Sequence, residues 1–295
     1  MRDAAHAHAT AGFARRFSLE ATRPNAAEVA RLAAILPAGT PVYVTAVPGI
    51  SPSELIGAAA GLRKAGLEPV AHVAARRLPS AEALQYLLEG LYGEAGMRRL
   101  LVIGGDVDSA GPYADALAVI QKGRLREAGI EEIGIGAYPE GHPRIPPGRL
   151  EASLDEKIAS AIALGLRVHI VSQFSFSAER LIAWLKLLRN CGIAQPVKVG
   201  LAGPTSVPAL IRYARRCGVN ASLRGLMSGT AAGLIGQVVG KVGPGRILDT
   251  LAETDGLGDI APHYFSFGGT IETARYACDA MHGMHDAEHA MPQPY

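Results

Sequence analysis

Short apolar runs alternate with amphipathic stretches along the whole chain. Most runs are nearly continuous in Val, Ile, Leu and Ala, which is typical of parallel strands buried on both faces. The eight predicted strands span residues 15–22, 41–47, 68–75, 98–106, 132–140, 167–176, 195–204 and 262–269.

The stretches between these runs carry helix signals. Ser51 precedes an apolar stripe and Glu54 follows three residues later, which is the spacing of a capping box, and Gly66 closes the stretch. Ser80 begins a similar arrangement. The predicted helices lie within residues 24–36, 51–66, 80–96, 153–165, 177–192 and 205–218.

This alternation predicts a closed (β/α)8 TIM barrel in a single domain at residues 15–281, between a flexible N-terminal tail (1–14) and a C-terminal tail (282–295). The alternative is an open doubly wound sheet, but no G-x-G-x-x-G follows the first strand. The connection 205–261 is long and predicts two further helices, at 222–239 and 245–257.

Composition narrows the class of protein. Of the 295 residues, 48% are apolar and 19% are charged, so a large core can form and general disorder is excluded. A net charge of +2 does not favour a nucleic-acid partner or a membrane surface. The chain lacks an apolar run long enough for a membrane span, and its N-terminus lacks a secretory pattern, which predicts a cytoplasmic protein.

Cysteine and histidine spacing does not predict a metal centre. Cys191, Cys217 and Cys278 have no C-x-x-C spacing and are predicted to be reduced, buried side chains. His6 and His8 fall in the N-terminal tail. His282, His285 and His289 share a helical spacing, but no strong carboxylate cluster joins them.

Polar residues recur at the carboxyl ends of the predicted strands, where barrel enzymes place their chemistry. Each alone has an ordinary structural explanation, such as a helix cap for Asp106 or a buried core histidine for His72. Their recurrence at six strand ends predicts a site for a planar, hydrogen-bonding ligand. These residues are Glu20, Thr45, His72, Asp106, Tyr138 with Glu140 and His142, and Gln173.

The residue types limit the chemistry. The sequence has no nucleophile elbow and no phosphate-binding G-x-x-x-x-G-K-[ST] loop. Glu20 remains as a candidate general acid. Asp106 and Gln173 are candidates for hydrogen bonds to an amide or a pterin, and the glycines at the strand ends are candidate cofactor contacts. This combination favours cofactor-borne chemistry in which the protein orients and protonates.

Five motifs, in order along the chain, resemble one family. "SLEATRP" places Glu20 where S-F-E-F-F-P-P has its glutamate, "GGD" ends at Asp106 where R-G-D ends, and "AYPEGHP" (137–143) matches A-Y-P-E-x-H-P fully. "SQFSF" keeps Gln173 of T-Q-x-F-F, and "HYFSFGG" loosely follows H-F-Y-T-L-N. The chain therefore resembles the short bacterial type of methylenetetrahydrofolate reductase, which consists of the catalytic barrel alone.

The resemblance implies a hydride relay in one-carbon metabolism and methionine biosynthesis. NAD(P)H as co-substrate reduces bound FAD, and the flavin reduces 5,10-methylenetetrahydrofolate to 5-methyltetrahydrofolate. Glu20 would be the general acid that opens the folate ring, Asp106 would lie near the flavin and the folate, and Gln173 would read the pterin. The implied flavin contacts are Thr45, His72, Gly104, Gly105, Tyr138 and His142.

The chain departs from the family at two cations. Gly105 stands in place of the arginine before G-D, and Ala161 stands in place of a lysine; Lys157, one turn earlier on the same helix face, is the predicted substitute at the phosphates. Three alternatives stay open: direct hydride transfer without flavin, a pterin-binding methyltransferase, and a non-catalytic folate-binding barrel. The direction of the reaction and a homo-oligomeric state also stay open.

Overall fold

A computed structural model describes residues 9–108, 111–217 and 241–284. Within these ranges, eight parallel strands close into a barrel in the order β1-β10-β7-β6-β5-β4-β3-β2, and β8 pairs with β9 in a separate antiparallel ribbon. The strands are β1 (Ser18–Ala21), β2 (Pro41–Val44), β3 (Glu68–Ala74), β4 (Arg99–Ile103), β5 (Glu132–Ala137), β6 (Arg167–Ser172), β7 (Val197–Ala202), β8 (Thr205–Ser206), β9 (Lys241–Val242) and β10 (Ile260–Phe265).

Helices follow the strands along the chain. The order of strands and helices confirms the predicted (β/α)8 barrel. The helices are α1 (Ala26–Ile35), α2 (Pro52–Lys64), α3 (Ala81–Ala95), α4 (Ala116–Lys122), α5 (Pro147–Ala163), α6 (Ala178–Asn190), α7 (Val207–Cys217), α8 (Gly245–Glu253) and α9 (Thr270–Met281), and a 3-10 turn spans Ala75–Arg77.

Local signals account for several helix starts. The Ser51 side chain accepts a hydrogen bond from the Glu54 N–H, and the Glu54 carboxylate accepts one from the Ser51 N–H, so the predicted capping box is confirmed. The side chains of Ser80 and Ser177 cap α3 and α6 by accepting from the N–H groups of Ala83 and Arg180. Helix α4 was not predicted, because its seven residues are too few to show a helical period.

Each of the eight predicted strands is present, but all end before the predicted carboxyl boundary. The Asp106 position, for example, lies beyond the end of β4 at Ile103. Glycine, proline and polar residues follow the strands, so the candidate site residues Thr45, Asp106, Tyr138 and Gln173 are on the loops that leave the barrel rather than on the strands themselves.

Contacts divide the chain into two compact units. The Glu20 unit comprises residues 20–137 and 148–171, and its hydrophobic core includes Tyr43, Val70, Leu101 and Val171. The Tyr138 unit comprises residues 9–19, 138–147 and the described residues from 172 onward. Its aromatic core centres on the buried Phe174, whose ring contacts Phe176, Phe265 and Phe267.

The structure also describes part of the predicted N-terminal tail and part of the long connection 205–261. Residues 9–14 form a helix within the predicted tail, and the Thr10 hydroxyl donates to Asp249 at 2.8 Å. In the 205–261 connection, α8 confirms the second predicted helix, whereas 222–239 lies outside the described residues. No described helix is long and apolar enough to cross a bilayer.

Candidate active site

Glu20 lies on β1, and its side chain is largely buried. Its Oε1 atom is 3.5 Å from Nε2 of His72 on β3, and the two side chains are 15% and 8% exposed. The flanking Leu19 and Ala21 are fully buried. Burial raises the pKa of Glu20, and a charge on His72 opposes this rise. The Glu20 carboxyl group is therefore biased towards the protonated form, as a general acid requires.

Thr45 packs against the end of the same strand. Its N–H donates to the Ala21 carbonyl at 3.1 Å, and its hydroxyl lies 2.8 Å from the Thr22 hydroxyl. These contacts hold the loop after β2 beside the residue that follows Glu20.

Asp106 lies in the loop after β4 and is held by an arginine from the loop after β3. Nε of Arg77 donates to Asp106 Oδ1 at 2.9 Å, and Nη2 of Arg77 donates to the same oxygen. Sequence reasoning missed this partner, although an Arg-Arg doublet soon after a predicted site histidine is a visible signal. Asp106 is thus an ion-paired carboxylate.

The position of the missing family arginine needs one correction. Matched letter by letter, R-G-D falls on Gly104, Gly105 and Asp106, so the arginine position is Gly104 rather than Gly105. A Cβ atom at Gly104 would lie 3.3 Å from Nη1 of Arg76. A guanidinium group from the neighbouring strand end therefore lies in tight contact with the point where a side chain at 104 would begin.

Lys157 lies on the inner face of α5. It is buried, and its Nζ donates to the Gly136 carbonyl on β5 at 3.4 Å. Burial lowers the pKa of Lys157, with smaller opposing effects from Asp115 and Glu156. Ala161, one turn later, is fully buried as well. This face of α5 therefore packs against the sheet, and its ammonium group is already engaged by a strand carbonyl.

The motif "AYPEGHP" forms a tight turn after β5. The Gly141 N–H donates to the Tyr138 carbonyl at 2.9 Å, and the rings of Tyr138 and His142 meet edge to face with centroids 5.1 Å apart. Nδ1 of His142 accepts from the Arg144 N–H at 3.2 Å. The turn thus brings together two residues that the sequence assigned to one ligand pocket.

The carboxylate of Glu140 fixes this turn to the loop after β6. Oε1 of Glu140 accepts a short hydrogen bond from the hydroxyl of Ser175, which is fully buried. The Ser175 oxygen also accepts from the Ser177 N–H at 3.0 Å, at the residue that caps α6. Glu140 is therefore placed to anchor the turn.

Gln173 follows β6 at a point where the backbone of β6 lies very close to Gly200 on β7. The Ser172 hydroxyl donates to the Gln173 carbonyl at 2.9 Å and accepts from the Gly200 N–H at 2.8 Å. A Cβ atom at Gly200 would lie 2.4 Å from the Ser172 carbonyl oxygen and 2.8 Å from the Gln173 backbone. Only glycine at position 200 allows this placement.

A buried polar network in the Glu20 unit was not predicted. The Tyr43 hydroxyl lies 2.8 Å from Nε2 of His169, and Nδ1 of His169 lies 2.8 Å from Oε1 of Glu132. Burial would raise the pKa of Glu132, but the hydrogen bond from His169 and the charge of Arg99 outweigh it and lower that pKa to about 2. An ionised Glu132 can only accept, so His169 donates from Nδ1.

Comparison with known proteins decides the family. A sequence model described as methylenetetrahydrofolate reductase matches residues 21–223. The chain belongs to the methylenetetrahydrofolate reductase family. The matched range contains every predicted site residue except Glu20, which immediately precedes it. The resemblance drawn from the five motifs is thereby confirmed.

Two curated relatives carry the family name. "5,10-methylenetetrahydrofolate reductase" of Pectobacterium carotovorum subsp. carotovorum is 25% identical over 152 residues, which cover 51% of this chain and 49% of that protein. "Methylenetetrahydrofolate reductase 2" of Saccharomyces cerevisiae is 26% identical over 160 residues, which cover 51% of this chain and 26% of that protein. The similarity thus spans about half or less of each relative's length.

Among solved structures, dihydropteroate synthase from Thermus thermophilus is similar with a TM-score of 0.47 and 14% identity. The similarity covers 91% of this chain and 93% of that one. A similarity of this size carries no functional argument.

Within this member of the reductase family, the predicted residues fall into two sets. Glu20, Thr45, His72, Gly104, Gly105, Asp106 and Lys157 belong to the Glu20 unit, and Tyr138, His142 and Gln173 belong to the Tyr138 unit. In the first set Glu20 contacts His72, and in the second Tyr138 contacts His142. No group of three or more metal-ligating side chains occurs among the residues described; His6, His8, His285 and His289 lie outside them.

Proposed function

We propose that this chain reduces 5,10-methylenetetrahydrofolate to 5-methyltetrahydrofolate with reducing equivalents from NAD(P)H, or runs the reverse reaction, and that Glu20 is its general acid. Family membership supports the reaction class. The observation that carries the assignment of the acid is the buried Glu20 carboxyl group with its raised pKa beside His72.

The reaction needs one hydride and one proton. Protonation of one of the two nitrogens that the methylene carbon bridges breaks the bond of that nitrogen to the carbon and opens the five-membered ring to an iminium ion on the other nitrogen. Hydride addition to the iminium carbon then forms the methyl group. Glu20 would give up the proton, and the resulting carboxylate would regain one from solvent after each turnover. A carboxyl group that is neutral near physiological pH can perform this step, whereas an ordinary exposed glutamate is ionised there.

His72 influences whether the Glu20 carboxyl group holds its proton. A positive charge on His72 lowers the pKa of Glu20, so transfer of the proton to the imidazole would remove the acid. The raised pKa of Glu20 therefore suits a state in which its carboxyl group holds the proton.

The remaining site residues receive binding roles in this proposal. Asp106 and Gln173 would contact the pterin, whose pyrimidine edge offers hydrogen-bond donors and acceptors. Tyr138 and His142 present an edge-to-face pair of rings that suits contact with a flat heterocycle. Thr45 and His72 would contact the group that donates the hydride.

The residues expected to hold the FAD pyrophosphate do not fit that group. Gly104 and Gly105 have no side chain, Ala161 is buried, and the Lys157 ammonium is engaged by the Gly136 carbonyl. Arg76 and Arg77 stand nearby, but they donate to backbone carbonyls and to Asp106. These observations favour direct hydride transfer from the nicotinamide as the route.

The deciding experiment combines a spectrum with an assay. The purified protein is incubated with FAD, desalted and examined for flavin absorbance, and oxidation of NADH and of NADPH is then followed with and without methylenetetrahydrofolate. A colourless protein with folate-dependent oxidation supports direct transfer. A flavin spectrum that survives desalting, with the same activity, would restore the relay through FAD.

Other outcomes would overturn the proposed reaction. Absence of folate-dependent turnover in both directions, with and without FAD, would do so. Transfer of the methyl group of 5-methyltetrahydrofolate to an acceptor without nicotinamide would indicate a methyltransferase. Folate binding without any turnover would indicate a binding protein.

A further inference from the structure

Two adjacent arginines follow the end of β3 and bind the loop after β4, which carries Asp106. Arg76 and Arg77 occupy the 3-10 turn Ala75–Arg77, soon after His72 on the same strand. Neither arginine was assigned a role from the sequence.

Arg76 binds the backbone of the loop after β4 at several points. Its N–H donates to the Gly104 carbonyl at 3.0 Å, Nε donates to the Val107 carbonyl at 2.8 Å, and Nη2 donates to the Gly105 carbonyl. Nη1 donates to the Ala114 carbonyl at 3.3 Å. One guanidinium group thus fixes the backbone on both sides of Asp106, because its planar fork holds several acceptors at once.

Arg77 fixes the side chain of Asp106. Both Nε and Nη2 donate to Oδ1, so rotation of the carboxylate about its side-chain torsions is restrained. The Arg77 side chain is only 20% exposed, whereas that of Asp106 is 57% exposed. A mostly buried cation therefore holds a carboxylate whose surface faces solvent and is accessible to a ligand.

We propose that Arg77 is a positioning residue that acts through Asp106. Arg76 holds the backbone of the loop after β4, which carries Asp106. This inference rests on the proposed function, in which Asp106 contacts the pterin. An exposed carboxylate on a loop would otherwise sample several rotamers, and ordering it on binding would weaken affinity. The arginine orients the carboxylate before the ligand arrives, so its effect on folate affinity requires the carboxylate.

The test is a double-mutant cycle on folate affinity. Calorimetry measures the Kd for 5-methyltetrahydrofolate in the wild type, Arg77→Gln, Arg77→Lys, Asp106→Asn and Arg77→Gln/Asp106→Asn. We expect Arg77→Gln to weaken binding about tenfold, Arg77→Lys to weaken it less because it keeps the charge without the fork, and the double variant to match Asp106→Asn alone. The thermal midpoint of each variant reports whether the fold is retained.

A control distinguishes this role from the loss of any surface ion pair. Arg98→Gln breaks an exposed pair with Glu131 before the amino end of β4 and should leave the Kd unchanged. Equal binding by the wild type and Arg77→Gln, or additive losses in the double variant, would overturn the positioning role alone. A wild-type protein without affinity for the folate would overturn the proposed function and this inference together.

Discussion

Nε2 of His72 lies 3.5 Å from Oε1 of Glu20, and both side chains are largely buried at the carboxyl end of their strands. The distance is long for a hydrogen bond but short for an electrostatic interaction. The charge of His72 therefore opposes the rise in the pKa of Glu20 that burial produces.

Replacement of the acid gives the first prediction. Glu20→Gln keeps the size of the side chain but cannot donate a proton to the folate, so folate reduction should fall by about a hundred- to ten-thousand-fold. Steady-state oxidation of NAD(P)H with methylenetetrahydrofolate measures this effect. In the wild type the rate should decline as the pH rises through the raised pKa of Glu20, because the carboxylate form is inactive as an acid.

The matched control is Glu94→Gln, which changes an exposed glutamate on α3. It should leave both the rate and the pH profile unchanged. A Glu20→Gln variant with an unaltered rate would show that the proton comes from another group.

Replacement of Lys157 is expected to have little effect on either nicotinamide binding or stability. Because its ammonium group is buried and bound to the Gly136 carbonyl, Lys157→Met should leave the KM for the nicotinamide within about twofold of the wild-type value and should not reduce stability. Steady-state kinetics and thermal denaturation measure the two quantities. A tenfold or larger increase in KM, or loss of a bound flavin, would return Lys157 to a role in phosphate binding.

Gly200→Ala should damage the Tyr138 unit around Gln173. The added Cβ would meet backbone atoms of Ser172 and Gln173, which cannot move away as a flexible side chain can, so we expect a loss of about 1–3 kcal/mol in the free energy of unfolding. Chemical denaturation measures this loss, and the KM for folate should rise because Gln173 is displaced.

Gly61→Ala on α2 is the control for that substitution. No atom lies within 4 Å of its added Cβ, and alanine is the better helix former, so stability should rise by about 0.5–1 kcal/mol. An unchanged stability of Gly200→Ala would mean that the close strand approach is not required.

The pH dependence of stability follows from His263 on β10. This residue is fully buried, its Nδ1 lies 2.9 Å from the Ser18 hydroxyl, and burial followed by the charge of Lys198 lowers its pKa to about 3. Between that value and the ordinary pKa near 6.5, the unfolded chain binds a proton that the folded protein does not. The His263 contribution to stability is therefore complete above pH 6.5 and is lost as the pH falls.

Denaturation at several pH values checks this effect. The free energy of unfolding should fall with a His263 component of about 1.4 kcal/mol per pH unit in the acidic range. His263→Asn should remove that component of the slope. A variant with the same acid sensitivity as the wild type would show that His263 titrates normally in the folded protein.

Sequence reasoning selected Glu20 and His72 because barrel chemistry recurs at strand ends, and the structure brings the two side chains within 3.5 Å of each other. Lys157 shows where such reasoning stops. It does share a helix face with Ala161, but spacing along a helix cannot tell which face meets the sheet. The face that holds both residues is the buried one.

Arg76 and Arg77 illustrate a second limit. Their partners in the loop after β4 lie about thirty residues along the chain, and such contacts depend on how two loops meet in space rather than on any local period. Capping signals such as Ser51 with Glu54 act within one turn, and these were predicted correctly.

The contact between Gly104 and Arg76 also constrains how this chain can change over evolutionary time. A single Gly104→Arg change would restore the R-G-D letters, but its side chain would begin 3.3 Å from the guanidinium of Arg76 and bring a second positive charge to the same place. The favourable route would exchange both residues, with a small or neutral residue at 76 before an arginine at 104. The two positions are therefore expected to vary together among descendants of this sequence, with one arginine between them.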